Sequence, residues 1–228
     1  MLVNPDGRAY VEALTGDVWW RKNRRPTGAC AGIDINRNYD FLWSSGIGTS
    51  PDPCDYQIFK GTSAFSESET RNVRALLDMY PNIRCLVDVH SYSEDILYPW
   101  GDDNQTTASS LSFPNPIYDG LRGTSADAVY REYIPQSDLD WHQAVGDSVS
   151  QAIQAVRGTS DSYCYSRAFA DPSLPKVLGI TLETGKEFQP PYSEALEIIK
   201  EVSAGSVQGC LSTIAIVHEA AQTTYAAP

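Results

Sequence analysis

Two short apolar runs constrain this chain more than anything else in it. The stretches Ile83-Arg84-Cys85-Leu86-Val87-Asp88-Val89 and Val177-Leu178-Gly179-Ile180-Thr181-Leu182 have the length of strands and carry apolar side chains on both faces. Strands of that kind belong to a sheet that helices cover on both sides. Each run ends in a side chain able to do chemistry, His90 in one case and Glu183 in the other. In covered sheets, function gathers beyond the carboxyl ends of the strands.

The segments between the runs supply the helices. Ser66 and Glu69 have capping-box spacing, and Val73, Leu76, Leu77 and Tyr80 recur at helical intervals until Pro81. Asp138 opens a second helix, striped by Trp141, Val145, Val149, Ala152 and Val156 and closed by Gly158. Ser193 opens a last one, with Leu196, Ile199, Val207, Leu211 and Ile214 turned inward. Residues 33–36 read as a short strand ending at Asn36-Arg37, residues 96–98 as another, and 101–137 as polar and irregular. The expectation is one domain over residues 1–228, a three-layer α/β/α sandwich with a mixed, mostly parallel central sheet. Met1-Leu2-Val3 runs straight into a turn signal, Asn4-Pro5-Asp6-Gly7, as a strand end entering a loop would. The sheet is therefore expected to lack N-terminal strands that a longer protein would supply.

Composition narrows the partners. A net charge of -12 argues against nucleic acid and anionic membranes, and no apolar run approaches the ~18 residues of a membrane span. Of the five cysteines, Cys30 and Cys54 flank a loop rich in Gly, Ser, Pro and Asp that a disulfide would restrain. Cys85 reads as a buried free thiol, while Cys164 and Cys210 either pair or stay free. With the glycosylation sequon Asn104-Gln105-Thr106, these features point to a secreted protein.

Zinc hydrolases need nitrogen and carboxylate ligands, an open position for water and a nearby base. His90 offers a ligand and Glu183 a base; none of the three histidines has a Glu three residues later, and His142 and His218 read as packing or surface residues. Residues 20–25, with Arg21, Lys22, Arg24 and Arg25, form the one concentrated cationic segment. It is either a solvated loop with salt bridges or a clamp for an anion, since guanidinium forks grip carboxylates and developing oxyanions.

The ordered motifs NPDGR, WWRKNRR, GIDINRNYD, VDVHSYS followed by ILYPWG, and ITLETG resemble the zinc metallocarboxypeptidases of the pancreatic carboxypeptidase A and B type and their bacterial relatives. The resemblance implies an exopeptidase that removes the C-terminal residue of peptides. It makes His90 a zinc ligand and Glu183 the general base, and it assigns Arg24 to the scissile carbonyl, with Arg21 a neighbouring subsite residue. Asn36 and Arg37 would grip the substrate's terminal carboxylate, and Tyr92 would line a subsite. An ungapped alignment puts Gln154 where the family has a mobile tyrosine, and Asp161 at the base of the specificity pocket, which implies a preference for C-terminal Lys or Arg. The family's other zinc ligands, a His-x-x-Glu motif, lie before the NPDG turn, so zinc belongs to the complete enzyme and this chain is expected to hold it weakly or not at all. Peptide and protein C-termini are the implied partners, and an uncovered sheet edge invites a dimer or another partner. Two alternatives stand beside this reading: a non-catalytic module that holds C-terminal carboxylates, and an interaction fragment.

Overall fold

The computed structural model describes residues 2–13, 17–100, 105–108, 115, 132–149 and 159–225. In chain order, helix α1 (Pro5–Glu12) precedes a two-residue hairpin, β1 (Pro26–Thr27) with β2 (Cys30–Ala31). Helix α2 (Ser68–Met79) follows, then β3 (Cys85–His90), β4 (Ile96–Leu97), β5 (Gln105–Thr106) and β6 (Glu132–Tyr133). The chain continues through α3 (Gln136–Val149), α4 (Ser160–Ala170), β7 (Leu178–Glu183) and α5 (Ala195–Tyr225).

The two apolar runs are β3 and β7, paired in parallel from Cys85↔Leu178 to His90↔Glu183; β4 adds to the far side of β7, antiparallel. Because strand side chains alternate between faces, Leu178, Ile180 and Leu182 point one way, into a cluster with Ile96, Val87, Val145 and Trp141 of α3. Leu86 points the other way, into a larger cluster with Val73 and Leu77 of α2 and Tyr163 and Cys164 of α4. Helices thus cover both faces and the sheet is mixed, as expected. Each fully buried aliphatic side chain in these clusters contributes about 1.5–3 kcal/mol.

Several local expectations give way to the structure. Asn4-Pro5-Asp6-Gly7 starts a helix and makes no turn: Asn4 Oδ1 accepts from Gly7 N at 3.1 Å and Pro5 sits where a helix has no use for its N–H. Residues 33–36 form no strand. Asp34 accepts from Asn36 N at 3.1 Å and turns Ile35–Arg37 into a 3-10 turn. Ser66 and Glu69 make no capping box; the cap of α2 comes from elsewhere in the chain, with Asn38 Oδ1 accepting from Glu67 N at 3.1 Å. On α2, Val73 and Leu77 face inward while Leu76 and Tyr80 are exposed. The stripe expected inside on α5 is outside: Leu196, Ile199, Val207, Leu211 and Ile214 are 56–65% exposed, and Thr213 is buried. Helix α4 has no apolar stripe to announce it, because SDSYCYSRAFA reads as polar, yet its first eight residues are buried. The region expected to be irregular contains a short parallel pairing of β5 with β6.

Candidate active site

The register that pairs His90 with Glu183 also sets Asp88 opposite Thr181, so Asp88, His90 and Glu183 share one face at the carboxyl end of the sheet. They open into a cleft of about 1050 Å³ that Arg21, Asn36, Arg37 and Ser160 also line.

The imidazole of His90 stands between two carboxylates. Nε2 lies 3.1 Å from Asp88 Oδ2 and Nδ1 lies 3.8 Å from Glu183 Oε1. Burial alone would push the His90 pKa down; the hydrogen bond and charge of Asp88, then Glu183 and Asp161, outweigh it and raise the value. Burial raises the Glu183 pKa, with His90 and Arg21 opposing and Asp88 and Asp95 adding to the rise. Glu183 Oε2 is buried with no hydrogen-bond partner. A half-shielded carboxylate with a raised pKa and a free oxygen is suited to take a proton from water.

Across the cleft, Arg37 is 8% exposed. Its Nε donates to Gly48 O at 3.0 Å and Nη1 to Asn36 O at 2.8 Å. No carboxylate among the described residues forms an ion pair with it, and burial pushes its pKa down. The neighbouring Asn36 has a buried, unpartnered Oδ1. A buried guanidinium fixed by two carbonyls and paired with no carboxylate is chemically a receptor for an anion.

The cationic segment divides its charges. Arg21 reaches the cleft, its Nη2 donating to Asp34 Oδ2 at 2.9 Å while Nε is buried and unpaired. Arg24 does not line the cleft. Its backbone N donates to Asp6 at 2.8 Å, and its guanidinium lies over Tyr10 at 3.8 Å and Trp20 at 4.5 Å from the ring centres. Lys22 is buried and donates to the carbonyl of Asp55, and Arg25 pairs with Glu67 at 2.7 Å. Asp34, which the sequence does not single out, holds Arg21 with one oxygen and the Asn36 amide with the other. The signal for it is an acid placed to cap the turn that carries Asn36 and Arg37.

The remaining predicted residues fall in different places. Tyr92 is half exposed in a smaller pocket of about 340 Å³ that adjoins the cleft, with Trp19, Arg21, Glu183 and Phe188. Asp161 is fully buried in the first turn of α4, behind Thr159 and Ser160, which line the cleft where Asp161 does not. Neither of its carboxylate oxygens has a hydrogen-bond partner, and burial above all raises its pKa to about 6. Gln154, Asn104 and the side chain of His218 lie outside the described residues. His142 is a buried packing residue: Nδ1 bonds the Asp138 carbonyl at 2.7 Å, the ring stacks on Tyr98, and burial lowers its pKa to about 4. Cys30 and Cys54 form the expected disulfide, while Cys85, Cys164 and Cys210 are free thiols.

Zinc, which the resemblance implies, finds an incomplete donor set. Among the described residues no group of three or more His, Cys, Asp or Glu side chains could hold a metal ion. One imidazole and one carboxylate oxygen face each other, which falls short of the three protein ligands a catalytic zinc needs.

Comparison with known proteins bears on family and fold. The zinc carboxypeptidase family model matches residues 1–205. Carboxypeptidase B of Helicoverpa zea is 44% identical over 215 residues, which are 91% of this chain and 47% of that protein. An inactive metallocarboxypeptidase, ecm14 of Talaromyces stipitatus, is 30% identical over 74% of this chain and 30% of its own length. The chain thus spans less than half the length of these relatives. Among solved structures, bovine thrombin-activatable fibrinolysis inhibitor superposes with a TM-score of 0.63 at 22% identity, over 96% of this chain and 68% of that one. Carboxypeptidase A of Helicoverpa armigera superposes at 0.60 and 23%, over 94% and 50%. At such identities the superpositions speak for the fold, and the family model and the carboxypeptidase B alignment speak for descent: this chain belongs to the zinc carboxypeptidase family.

Proposed function

We propose that residues 1–228 are part of the catalytic domain of an exopeptidase that removes the C-terminal residue of peptides. One observation carries the reading: a single cleft gathers Arg21, Asn36, Arg37, His90 and Glu183 from four separate segments. In this reading Arg37 and Asn36 hold the terminal carboxylate, which restricts cleavage to chain ends. Glu183 takes the proton of the attacking water and returns it to the leaving amine. The oxyanion role moves from Arg24 to Arg21, because Arg21 lines the cleft and Arg24 does not. A preference for C-terminal Lys or Arg gains nothing from Asp161, which is sealed behind Thr159 and Ser160. The complete enzyme would use zinc as its Lewis acid; this chain, whose cleft offers one imidazole among the described residues, would hold zinc weakly, and a stoichiometric zinc retained after dialysis would overturn that. The disulfide fits an oxidising compartment, so secretion is part of the proposal. No helix among the described residues is long and apolar enough to cross a membrane.

The test compares two arginines in the full-length protein. Arg21→Ala should lower kcat on a peptide with a free carboxyl terminus by roughly 10²–10³-fold, with Arg24→Ala near wild type. Equal losses, or a loss with Arg24→Ala alone, would refute the assignment. A second reading has its own support: both residues proposed for the carboxylate grip line the cleft, the metal donor set is incomplete among the described residues, and an inactive relative exists. A chain that binds free C-termini without hydrolysing them would favour this non-catalytic module.

A further inference from the structure

We propose that Asp88 is a positioning residue: tied to α4 through Ser160, its carboxylate holds the His90 ring by Nε2 so that Nδ1 faces Glu183 across the cleft. A carboxylate within a strand that is otherwise apolar is costly unless it is bonded. Asp88 is the only acid in β3 ahead of His90, and the period of two puts both on the same face. Its Oδ2 lies 3.1 Å from His90 Nε2, and the same oxygen accepts from Ser160 Oγ. Ser160 arrives from a distant part of the chain, in the first turn of α4. That helix reaches the sheet because β7 has Gly179 beneath it, where a Cβ would fall on the Asp161 backbone and 2.7 Å from Cys164 Sγ.

An imidazole free to rotate can present either nitrogen to the cleft. A carboxylate on one nitrogen fixes both the tautomer and the ring plane, and leaves the other nitrogen to whatever the cleft receives. Here the nitrogen left over is Nδ1, 3.8 Å from Glu183 Oε1. Asp88 also supplies negative charge at the back of the ring, which makes the unprotonated Nδ1 a stronger electron-pair donor. The importance of this arrangement rests on the function proposed above, but the arrangement itself is a property of the ring and is tested there.

The experiment is 1H–15N spectroscopy of the ring nitrogens in the 228-residue chain, read in the high-pH limit where the imidazole is neutral. With three histidines in the sequence, the His90→Gln spectrum assigns the His90 signals. The expected result is a proton on Nε2 at low field, in slow exchange with water, and an unprotonated Nδ1. Asp88→Ala should abolish the low-field signal. Asp88→Asn, isosteric and neutral, should move it upfield, and Ser160→Ala should keep it but hasten its exchange. A His90 proton on Nδ1 in the wild type, or Nε2 signals identical in the wild type and Asp88→Asn, would overturn the proposal. If Asp88→Ala does not fold, Asp88→Asn decides alone. Loss of peptidase activity without these spectral changes would count against Asp88 as positioner while leaving the functional reading intact.

Discussion

Arg37→Met should remove most of the chain's ability to tell a free C-terminus from an amidated one. The substitution keeps an unbranched apolar stem and deletes the charge. In the structure the guanidinium is 8% exposed and committed to two carbonyls, Gly48 O and Asn36 O, with no ion pair among the described residues. An incoming carboxylate would therefore complete two charge-assisted hydrogen bonds in a desolvated setting. Each is worth about 1.5–3 kcal/mol, and Asn36 remains to recover some of the loss. The expected penalty is about 3–4 kcal/mol, or roughly two to three orders of magnitude in Kd. Titration calorimetry with one peptide in two forms, free acid and amide, isolates the effect: the free acid should weaken to the level of the amide, and the amide should barely change. Deleting donors to two carbonyls also costs stability, about 1 kcal/mol each, so thermal melts accompany the titrations. An Arg37→Met protein that still prefers the free acid by the wild-type margin would refute the grip. Equal weakening of both peptides together with a lowered Tm would make Arg37 a strut for the Gly48 loop and nothing more.

Three further outcomes follow from the same coordinates. Replacing Cys30 and Cys54 by Ala opens a loop closed over a separation of 24 residues and should cost about 3 kcal/mol in denaturant unfolding; because Gly48 lies in that loop, the free-acid peptide should also bind more weakly, and unchanged affinity would separate the loop from the site. Asp161 has a folded pKa raised from 3.8 to about 6, so the fold binds its proton more tightly than the unfolded chain does. The stability this contributes is fully present below 3.8 and is lost as pH rises through about 6, a loss of about 3 kcal/mol. Asp161→Asn should flatten that part of the stability profile between pH 4 and 7 (the window spanning those two values), and an unaltered slope would show that Asp161 is ionised in the fold. Gly179→Ala should force α4 off β7, costing about 1–3 kcal/mol by overpacking and disturbing Ser160, and a melt unchanged from wild type would mean that the contact yields freely.

How far these features are legible in the sequence depends on whether local signals have competitors. β3 and β7 are plain, because an apolar run on both faces has few other uses in a chain of this charge, and the terminal positions of His90 and Glu183 come with them. Helix α5 is plain as a helix and misleading as to its face. It carries apolar residues on two sides, and the side that meets the sheet is chosen by small residues, with Gly209 and Thr213 buried where the larger Leu211 and Ile214 would stand too far from the strand. Helix α4 is hidden for the opposite reason. Two of its buried hydroxyls are satisfied by partners far away in the sequence, Ser160 by Asp88 and Tyr165 by Asp138, and hydropathy cannot register a polar group that is satisfied from afar.

The choice between Arg21 and Arg24 shows the same limit at the site itself. Both stand in one cationic segment, and spacing along the chain gives neither an advantage. What separates them is where their charges are satisfied. Tyr10 lies on a helix that exists because Asn4 and Pro5 cap it, and with Trp20 and the Asp6 carboxylate it draws Arg24 away from the cleft. Reading Asn4-Pro5 as a turn conceals the helix, and with it the reason that Arg24 is occupied. Arg21 is left to Asp34, whose second oxygen orders the turn that carries Asn36 and Arg37. One carboxylate thus aligns the group proposed for the scissile carbonyl with the groups proposed for the terminal carboxylate. The fixed distance between these two parts of a substrate is one peptide unit, and a shared buried carboxylate holds both receptors to it more rigidly than two independent loops would.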